Sequence, residues 1–278
     1  MSARANHEIV RTRGGTLAMR SLDAGEVMHP GVGPIVEAEQ LYVRQSRLAE
    51  RLLEERAVVV FDVGLGAGSN AFAARAAAER APAGAGRLEL VSFERDLGAL
   101  ALALETPAAF GIDDEAAAAA CALLRHGRHE TPRTLWRLEP GDVLEALART
   151  PSRADIVYWD PFSPRANPTL WTVAAFTAAR RAAGSRCTLF TYSASTATRV
   201  ALLLSDWAVG VGDAIGEKEH TTAAAVVPDD LARPLDRAWL ARLARADVPL
   251  PPDAPTDATA RAAAARQFHS GSASVDGT

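Results

Sequence analysis

An apolar run that ends in a glycine-rich turn constrains the fold of this chain more than any other stretch. Val58–Phe61 has the β-branched and aromatic character of a buried strand. An acidic residue and three alternating glycines follow it: Asp62, Gly64, Gly66 and Gly68. Alanine-rich sequence then predicts a helix from about Asn70 to Arg80. Because glycine lets the backbone approach a ligand, and a helix start presents free N–H groups, the pattern predicts a ligand at this turn.

Strand and helix patterns alternate along most of the chain. The predicted strands are 58–61, 88–93, 134–138, 154–159 and 186–192, with a closing antiparallel pair at 207–211 and 221–227. The predicted helices are 37–55 (with a short strand at 41–43 as the alternative), 70–80, 97–104, 107–131, 143–148, 176–183 and 196–204. This alternation predicts an α/β fold with a mostly parallel sheet and helices on both faces.

The same patterns divide the chain into three regions. Residues 1–56 form an N-terminal segment or lid, 57–228 a sheet domain, and 229–278 a C-terminal helix and tail. The sequence beyond Val248 is rich in Pro, Ala and Asp and then in Gly and Ser, so we expect disorder after about Ala260.

Composition limits the partners. An apolar content of 48% suits a globular core, no apolar stretch reaches the roughly 18 residues of a membrane span, and the polar N-terminus lacks a signal-like core. We therefore expect a cytoplasmic protein without a membrane partner. Cys121 and Cys187 form no zinc or disulfide pattern, and His126 and His129 lack further ligands, so we expect no metal. The net charge of −4 weakens the case for a nucleic-acid partner.

The spacing of the glycines distinguishes between nucleoside cofactors. A dinucleotide fingerprint reads G-x-G-x-x-G, but position 69, where its last glycine would stand, is Ser69. The observed D-x-G-x-G-x-G resembles motif I of class I S-adenosylmethionine (SAM) methyltransferases. In this interpretation Asp62 accepts hydrogen bonds near the ammonium group of SAM. A glycine turn with a structural role only, and an NAD(P)-binding oxidoreductase, are the alternatives.

Four predicted strands end in an acidic residue. These residues are Asp62, Glu94, Asp142 and Asp160. Ligands of open α/β sheets bind at the carboxyl ends of the strands, so we expect the four carboxylates to surround one cofactor. Glu94 suits the two ribose hydroxyls, and Asp142 suits the adenine amine next to the backbone N–H of Val143. The alternatives are a solvated strand end for Glu94 and a helix N-cap for Asp142.

A proline-rich loop follows the fourth strand. Asp160–Trp171 reads D-P-F-S-P-R-A-N-P-T-L-W, and its three prolines fix the backbone in advance. A carboxylate, two aromatic rings and an amide would stand beside the methyl group of the cofactor. This is where a nucleophilic amine would be held.

The loop resembles the D-x-F-x-P-x-x-N-P-x-x-W motif of the MnmC-like methyltransferase domains, which act on tRNA wobble uridine. Further matches are 61–70, Val91–Glu94, Gly141-Asp142, Thr191–Ser195 and Arg199. The resemblance covers roughly residues 26–227. It implies a Rossmann-like class I methyltransferase fold with seven strands in the order 3-2-1-4-5-7-6.

The resemblance also implies a reaction, the methylation of a 5-aminomethyl group with SAM. Asp160 would hold the amine, while Phe162 and Trp171 would stack on the base, with core packing as the alternative for both rings. The implied catalytic residues are Asp160, Phe162, Asn167 and Trp171. The implied cofactor-binding residues are Asp62, Gly64, Gly66, Gly68, Asn70, Glu94, Asp142, Val143 and Asp160.

Two features leave the acceptor open. MnmC-like domains tend to have a basic stretch before their last strand, whereas residues 215–220 contain one lysine between Glu217 and Glu219. Together with the negative net charge, this keeps a small-molecule amine as the alternative acceptor. His29 lies in a Pro/Gly loop that we consider as a cover for the site, with an ordinary surface histidine as the alternative.

Overall fold

A computed structural model describes residues 6–12, 15–28, 33–214, 219–245 and 249–268. Its strands are β1 (His7–Arg11), β2 (Leu17–Ser21), β3 (Glu26–Val27), β4 (Ala57–Val63), β5 (Arg87–Glu94), β6 (Arg128–Glu130), β7 (Thr134–Pro140), β8 (Ala154–Trp159), β9 (Ala183–Thr191), β10 (Ala208–Gly212) and β11 (Thr221–Ala225). Its α-helices are α1 (Pro34–Ala38), α2 (Leu48–Glu54), α3 (Ser69–Glu79), α4 (Gly98–Ala103), α5 (Asp114–His126), α6 (Val143–Arg149), α7 (Val173–Ala182), α8 (Thr196–Leu204), α9 (Arg237–Leu243) and α10 (Ala258–Ala263).

The central sheet confirms the predicted strand order and adds one strand. Its order is β6-β7-β5-β4-β8-β9-β11-β10, in which β7, β5, β4, β8 and β9 run parallel. Without β6 this is the order 3-2-1-4-5-7-6. The prediction of seven strands is wrong by the edge strand β6, which lies inside the stretch we predicted as a helix. Gly127 at φ 71° ends α5, and the next residues pair antiparallel with β7.

Alternation along the strands divides the core into two layers. On β4, Val58 and Val60 pack toward one face of the sheet, while Phe61 and Val63 pack toward the other. The first layer holds residues of α2, α3, α4 and α5, and the second holds residues of α6, α7, α8 and α10. Because parallel strands are buried on both faces, β4 reads as a continuous apolar run.

The predicted helix at 37–55 is interrupted. A π-helix at Glu39–Arg44 follows α1, and Arg47 adopts a left-handed conformation at φ 55° before α2 begins. A π-helical turn widens the helix locally, and such turns are frequent at functional sites. This turn buries Leu41, Tyr42 and Val43 together against the first layer.

The N-terminal region contains a small sheet that we did not predict. Strands β1, β2 and β3 form antiparallel pairs, and Met19 of β2 joins the first core layer. The strands are short and alternate weakly between apolar and polar residues, which explains why the sequence pattern missed them. The sheet brings Glu26 and Met28 toward the carboxyl ends of the central strands.

The C-terminal region is ordered further than expected. We predicted disorder after about Ala260, but α10 continues to Ala263 and a 3₁₀ turn follows at Arg266–Phe268. Gln267 explains part of this order, because its side chain accepts from Val209 N at 2.5 Å and donates to Val209 O at 3.0 Å on the edge strand β10. Residues 269–278 lie outside the described part. Within that part, every helix is too short or too polar to cross a bilayer.

Replacing Phe268 by Ala tests whether the C-terminal segment belongs to the core. Phe268 is 6% exposed in the second layer, so we expect Phe268→Ala to lower the free energy of unfolding by about 3 kcal/mol. Urea unfolding followed by circular dichroism measures the change. The control is Arg266→Ala, which removes an exposed neighbour. Equal stability of the two variants would contradict the assignment.

Candidate functional site

The glycine turn after β4 is shaped by close contact with the loop after β8. Gly64, Gly66 and Gly68 have φ of 90°, 53° and 91°, in the left-handed region that favours glycine. A Cβ at Gly64 would lie 2.7 Å from the carbonyl oxygen of Asp160 and 3.1 Å from Cα of Pro161. The turn and the Asp160 loop therefore touch backbone to backbone.

Asp62 lies beneath this turn rather than at its surface. Its side chain is 0% exposed, and one carboxylate oxygen accepts from the Ser92 hydroxyl at 2.8 Å. The Ser92 oxygen in turn accepts from the indole N–H of Trp136 at 3.0 Å. This chain of donors supports the negative charge within the sheet. A contact between Asp62 and the ammonium group of the cofactor stays a prediction.

Glu94 connects the end of β5 to the glycine turn. Its Oε2 accepts from the backbone N–H of Gly66 at 2.9 Å. Its Oε1 accepts from the N–H groups of Arg95 at 2.7 Å and Asp96 at 2.9 Å. The carboxylate is thus held beside the turn and is half-buried, which rules out the alternative of a freely solvated strand end.

Asp142 has the alternative role that we considered for it. It is the N-cap of α6 and accepts from Leu144 N at 2.8 Å and Glu145 N at 3.2 Å through one oxygen, Oδ1. Val143, the first residue of the helix, is buried. The predicted contacts of both residues with adenine stay predictions.

Asp160 stands where several elements meet. The amide Nδ2 of Asn70, at the start of α3, donates to Asp160 Oδ2 at 2.8 Å. Tyr42 of the π-helix approaches from another side, and burial together with the charge and hydrogen bonding of Asp160 raises the pKa of Tyr42 well above its usual value. Tyr192, after β9, donates from its hydroxyl to Pro161 O at 3.0 Å. Burial and then the charge of Asp160 raise the pKa of Tyr192, so both phenols stay protonated near neutral pH.

The rest of the loop is fixed by its own hydrogen bonds. Asn167 accepts from the Thr169 hydroxyl at 2.9 Å and begins the 3₁₀ turn Pro168–Trp171. The Trp171 indole donates to Phe162 O at 2.8 Å. Phe162 is half-buried. Asn167 and Trp171 therefore each hydrogen-bond to another residue of the same loop.

Trp171 does not have the position expected of a base-stacking ring. It is 4% exposed and packs edge-on against Tyr192, with ring centroids 5.6 Å apart, and against Phe176 at 6.4 Å. These contacts agree with core packing, the alternative considered above, and stacking of Trp171 on a base stays a prediction.

The N-terminal sheet anchors the same loop. Glu26 of β3 accepts from the backbone N–H of Ser163 at 3.0 Å and from the Ser163 hydroxyl. Arg165 adds an ion pair to Glu26 at 3.3 Å. Two residues further, Met28 Sδ lies 3.0 Å from where a Cβ of Gly66 would be. The segment from Glu26 to Met28 therefore contacts both the Asp160–Trp171 loop and the glycine turn. The neighbouring His29 lies outside the described residues.

Sequence reasoning missed Glu26 and Tyr42, for different reasons. Glu26 lies in a two-residue strand, which carries no periodicity. Tyr42 belongs to a turn whose π-helical geometry breaks the 3.6-residue period. An aromatic residue among aliphatic ones was the one available signal. In the part of the chain that the structure describes, no cluster of three or more His, Cys, Asp or Glu could hold a metal ion.

Comparison with known proteins agrees with this geometry. Residues 123–227 match a family model described as S-adenosyl-L-methionine-dependent methyltransferase, a range that includes Asp142 and the whole Asp160 loop. The tRNA 5-methylaminomethyl-2-thiouridine biosynthesis bifunctional protein MnmC of Burkholderia multivorans is 32% identical over 188 residues, which is 64% of this chain and 29% of that protein. This chain is an S-adenosyl-L-methionine-dependent methyltransferase that is similar to MnmC. It spans less than a third of the length of the curated relatives it matches.

Solved structures show the same fold. MnmC2 from Aquifex aeolicus superposes with a TM-score of 0.72 at 24% identity, covering 92% of this methyltransferase and 85% of that chain. Spermidine synthase from Thermotoga maritima superposes with a TM-score of 0.51 at 11% identity, covering 83% and 72%. At these identities the likeness concerns the fold alone.

The residues present fit SAM. Glu94 ends β5, and Asp142 and Asp160 follow β7 and β8, at the same edge of the sheet as the glycine turn after β4. Carboxylates complement a ligand that carries a sulfonium and an ammonium charge. Asn70 Oδ1 is buried at the start of α3 without a hydrogen-bond partner and is available to an N–H donor. The fit rests on these donor and acceptor types.

Replacing Gly64 by Ala tests the contact between the turn and the loop. Gly84 offers a matched control, because its φ of 89° equals that of Gly64 but a Cβ there meets nothing within 4 Å. We expect Gly84→Ala to cost about 1 kcal/mol of backbone strain. Gly64→Ala should cost about 1–3 kcal/mol more, because the Asp160 backbone must move. Thermal unfolding with calorimetry compares them, and equal costs would contradict the contact.

Proposed function

We propose that this methyltransferase transfers a methyl group from SAM to the primary amine of a 5-aminomethyl group on a tRNA wobble uridine. The observation that carries the proposal is the position of Asp160. The backbone of Asp160 lies against the glycine turn, and its carboxylate accepts from Asn70 at the start of the next helix. Asp160 also begins the loop that matches the family motif. The MnmC relatives, which are named for the biosynthesis of tRNA 5-methylaminomethyl-2-thiouridine, support this acceptor.

We assign the cofactor to the glycine turn and to the strands beside it. Gly64, Gly66 and Gly68 would admit its amino-acid end, with Asp62 below and Asn70 at the helix start. Glu94 would accept hydrogen bonds from the ribose hydroxyls. These ligand donors would replace the N–H of Gly66, which donates to Oε2 in the structure. Asp142 retains Oδ2 for the adenine amine, because its capping bonds use Oδ1. Val143 would contribute its backbone N–H.

Asp160 would prepare the amine for attack. A primary amine is mostly protonated near neutral pH and must lose a proton before its lone pair becomes a nucleophile. Bound SAM supplies an electrophilic methyl group on a positively charged sulfur. The Asp160 carboxylate would accept a hydrogen bond from the ammonium form, orient it, and receive or pass on a proton before the attack. The N–C bond would then form as the bond between the methyl carbon and the cofactor sulfur breaks. Tyr42 and Tyr192, which stay protonated, cannot compete as bases.

The two aromatic residues of the loop would have different roles. Phe162 is half-buried and is the candidate for contact with the base. Trp171 would act indirectly, because its indole holds the Phe162 carbonyl. Asn167 would act indirectly as well, by holding the turn that positions both rings. We place the reaction in the cytoplasm, where a tRNA acceptor would be met.

A small-molecule amine stays the alternative acceptor because one observation favours it. The chain has a net charge of −4, and a tRNA partner requires a local basic surface that the composition does not provide by itself. Both acceptors present a primary amine, so the chemistry at Asp160 would be the same. An NAD(P)-dependent reaction has no support from the family match, which describes a methyltransferase.

Supplying both kinds of acceptor decides between them. The protein is incubated with SAM carrying a labelled methyl group and either tRNA lacking the modification or a panel of small primary amines. We expect label in the wobble nucleoside of tRNA, identified by nuclease digestion and mass spectrometry, with transfer that weakens steeply as salt rises. Label in the small amines alone would replace the tRNA proposal by the alternative. Label in neither would overturn the amine acceptor altogether.

Replacing Asp160 by Asn tests its role. The amide keeps the shape but cannot take a proton, so we expect kcat to fall by about 10²-fold or more. The Kd of SAM, measured by isothermal titration calorimetry, should stay within about twofold, because the other predicted cofactor-binding residues are unchanged. The control is Asp155→Asn, a carboxylate at the opposite end of β8 that accepts from Val59 N. Loss of SAM binding in Asp160→Asn would show that the residue belongs to the cofactor site.

A further inference from the structure

Asn70 lies at the junction between the glycine turn and the Asp160 loop. Asn70 is the second residue of α3 and directly follows the glycine turn. It is 3% exposed, and its Nδ2 lies 2.8 Å from Asp160 Oδ2, across 90 positions of sequence. One side chain therefore connects the cofactor turn to the residue that faces the acceptor.

The orientation of the Asn70 amide follows from its partner. An ionised carboxylate only accepts hydrogen bonds, so the NH₂ end of the amide must face Asp160. Its carbonyl Oδ1 then points away from Asp160, and this atom is buried without a hydrogen-bond partner. A buried acceptor left unpaired lowers stability, and a ligand N–H donor would satisfy it. An ammonium group is such a donor, and SAM carries one.

The backbone leaves little freedom for this connection. Because Gly64 has no Cβ, the turn can approach the carbonyl of Asp160 closely. This approach brings Asp160 within reach of the short side chain of Asn70 at the start of α3. A hydrogen bond at 2.8 Å from a nearly fully buried amide restricts the rotation of the Asp160 carboxylate. Burial and then the charge of Asp160 raise the pKa of Tyr42 on the π-helix, so this phenol stays protonated near the carboxylate.

We propose that Asn70 is a positioning residue that orients the Asp160 carboxylate with its Nδ2 and receives the ammonium group of SAM on its Oδ1, so that a bound cofactor and an aligned acceptor carboxylate depend on one amide. This inference rests on the proposed function. It goes beyond a cofactor contact, because it makes the alignment of Asp160 depend on a residue of the glycine motif. The class of ligand on Oδ1 is a primary ammonium group.

Three single and two double variants test the proposal. Asn70→Ala removes both contacts, and we expect kcat to fall by about 10²-fold, the size expected when a reacting group is misplaced. Asn70→Asp keeps an acceptor for the ammonium group but sets two carboxylates against each other, so kcat should fall while SAM still binds. In an Asp160→Asn background, Asn70→Ala should lower kcat no further, because the group that Asn70 positions is already lost.

The exchanged pair separates geometry from function. Asn70→Asp combined with Asp160→Asn reverses the hydrogen bond, so the unfolding temperature lost in Asn70→Asp should return, while methyl transfer should not. Calorimetry of SAM binding, thermal unfolding and single-turnover transfer measure the three properties. The control is Ser205→Ala, a buried polar residue that donates to Val173 O and Ala201 O away from the site.

Several results would overturn the inference. The inference is wrong if the wild-type enzyme is active and Asn70→Ala has the same kcat. Equal losses from Asn70→Ala with Asp160 present and with Asp160→Asn would make Asn70 a cofactor ligand only. If the wild-type protein methylates no amine, the proposed function fails, but the recovery of stability in the exchanged pair still reports on the contact between the two side chains.

Discussion

The site depends on the close approach of two backbones. The turn after β4 and the loop after β8 touch at Gly64 and Asp160, where even one methyl group would not fit. This contact is available because β4 and β8 are hydrogen-bonded neighbours in a parallel sheet and end at the same edge. Asn70 and Asp160 then come within hydrogen-bond distance as a consequence of the fold. The chemistry proposed for the chain follows from that proximity.

A second set of interactions keeps charge inside the sheet. The buried carboxylate of Asp62 is supported by Ser92, and Ser92 by Trp136, so three adjacent strands contribute one member each. Glu94 uses both oxygens on backbone N–H groups. An unsupported buried charge would cost several kcal/mol. Asp62 and Glu94 are therefore compatible with a stable fold, because the hydrogen-bond partners described for their carboxylates are donors.

The sequence predicted what local patterns determine. The strand order, the glycine turn and the proline loop were expected because apolar runs, glycine spacing and proline each restrict the backbone directly. For Trp171 the sequence left two roles open, because an aromatic residue in a loop can face either the core or a ligand. In the structure its ring packs against Tyr192 and Phe176. Glu26 and Tyr42 were missed because their roles arise from contacts more than 110 positions apart in the sequence. Such contacts leave no periodic signal.

The contact of Glu26 with the Asp160–Trp171 loop affects how a loss of activity in N-terminally truncated forms of the protein should be interpreted. The central sheet begins at residue 57, so a fragment without the N-terminal strands retains every strand of that sheet. It would lose the carboxylate that holds Ser163. An inactive fragment of this kind could bind its cofactor normally and still position Asp160 poorly. Inactivity after truncation would therefore indicate the loss of a support for the loop, and would say little about which groups perform the chemistry.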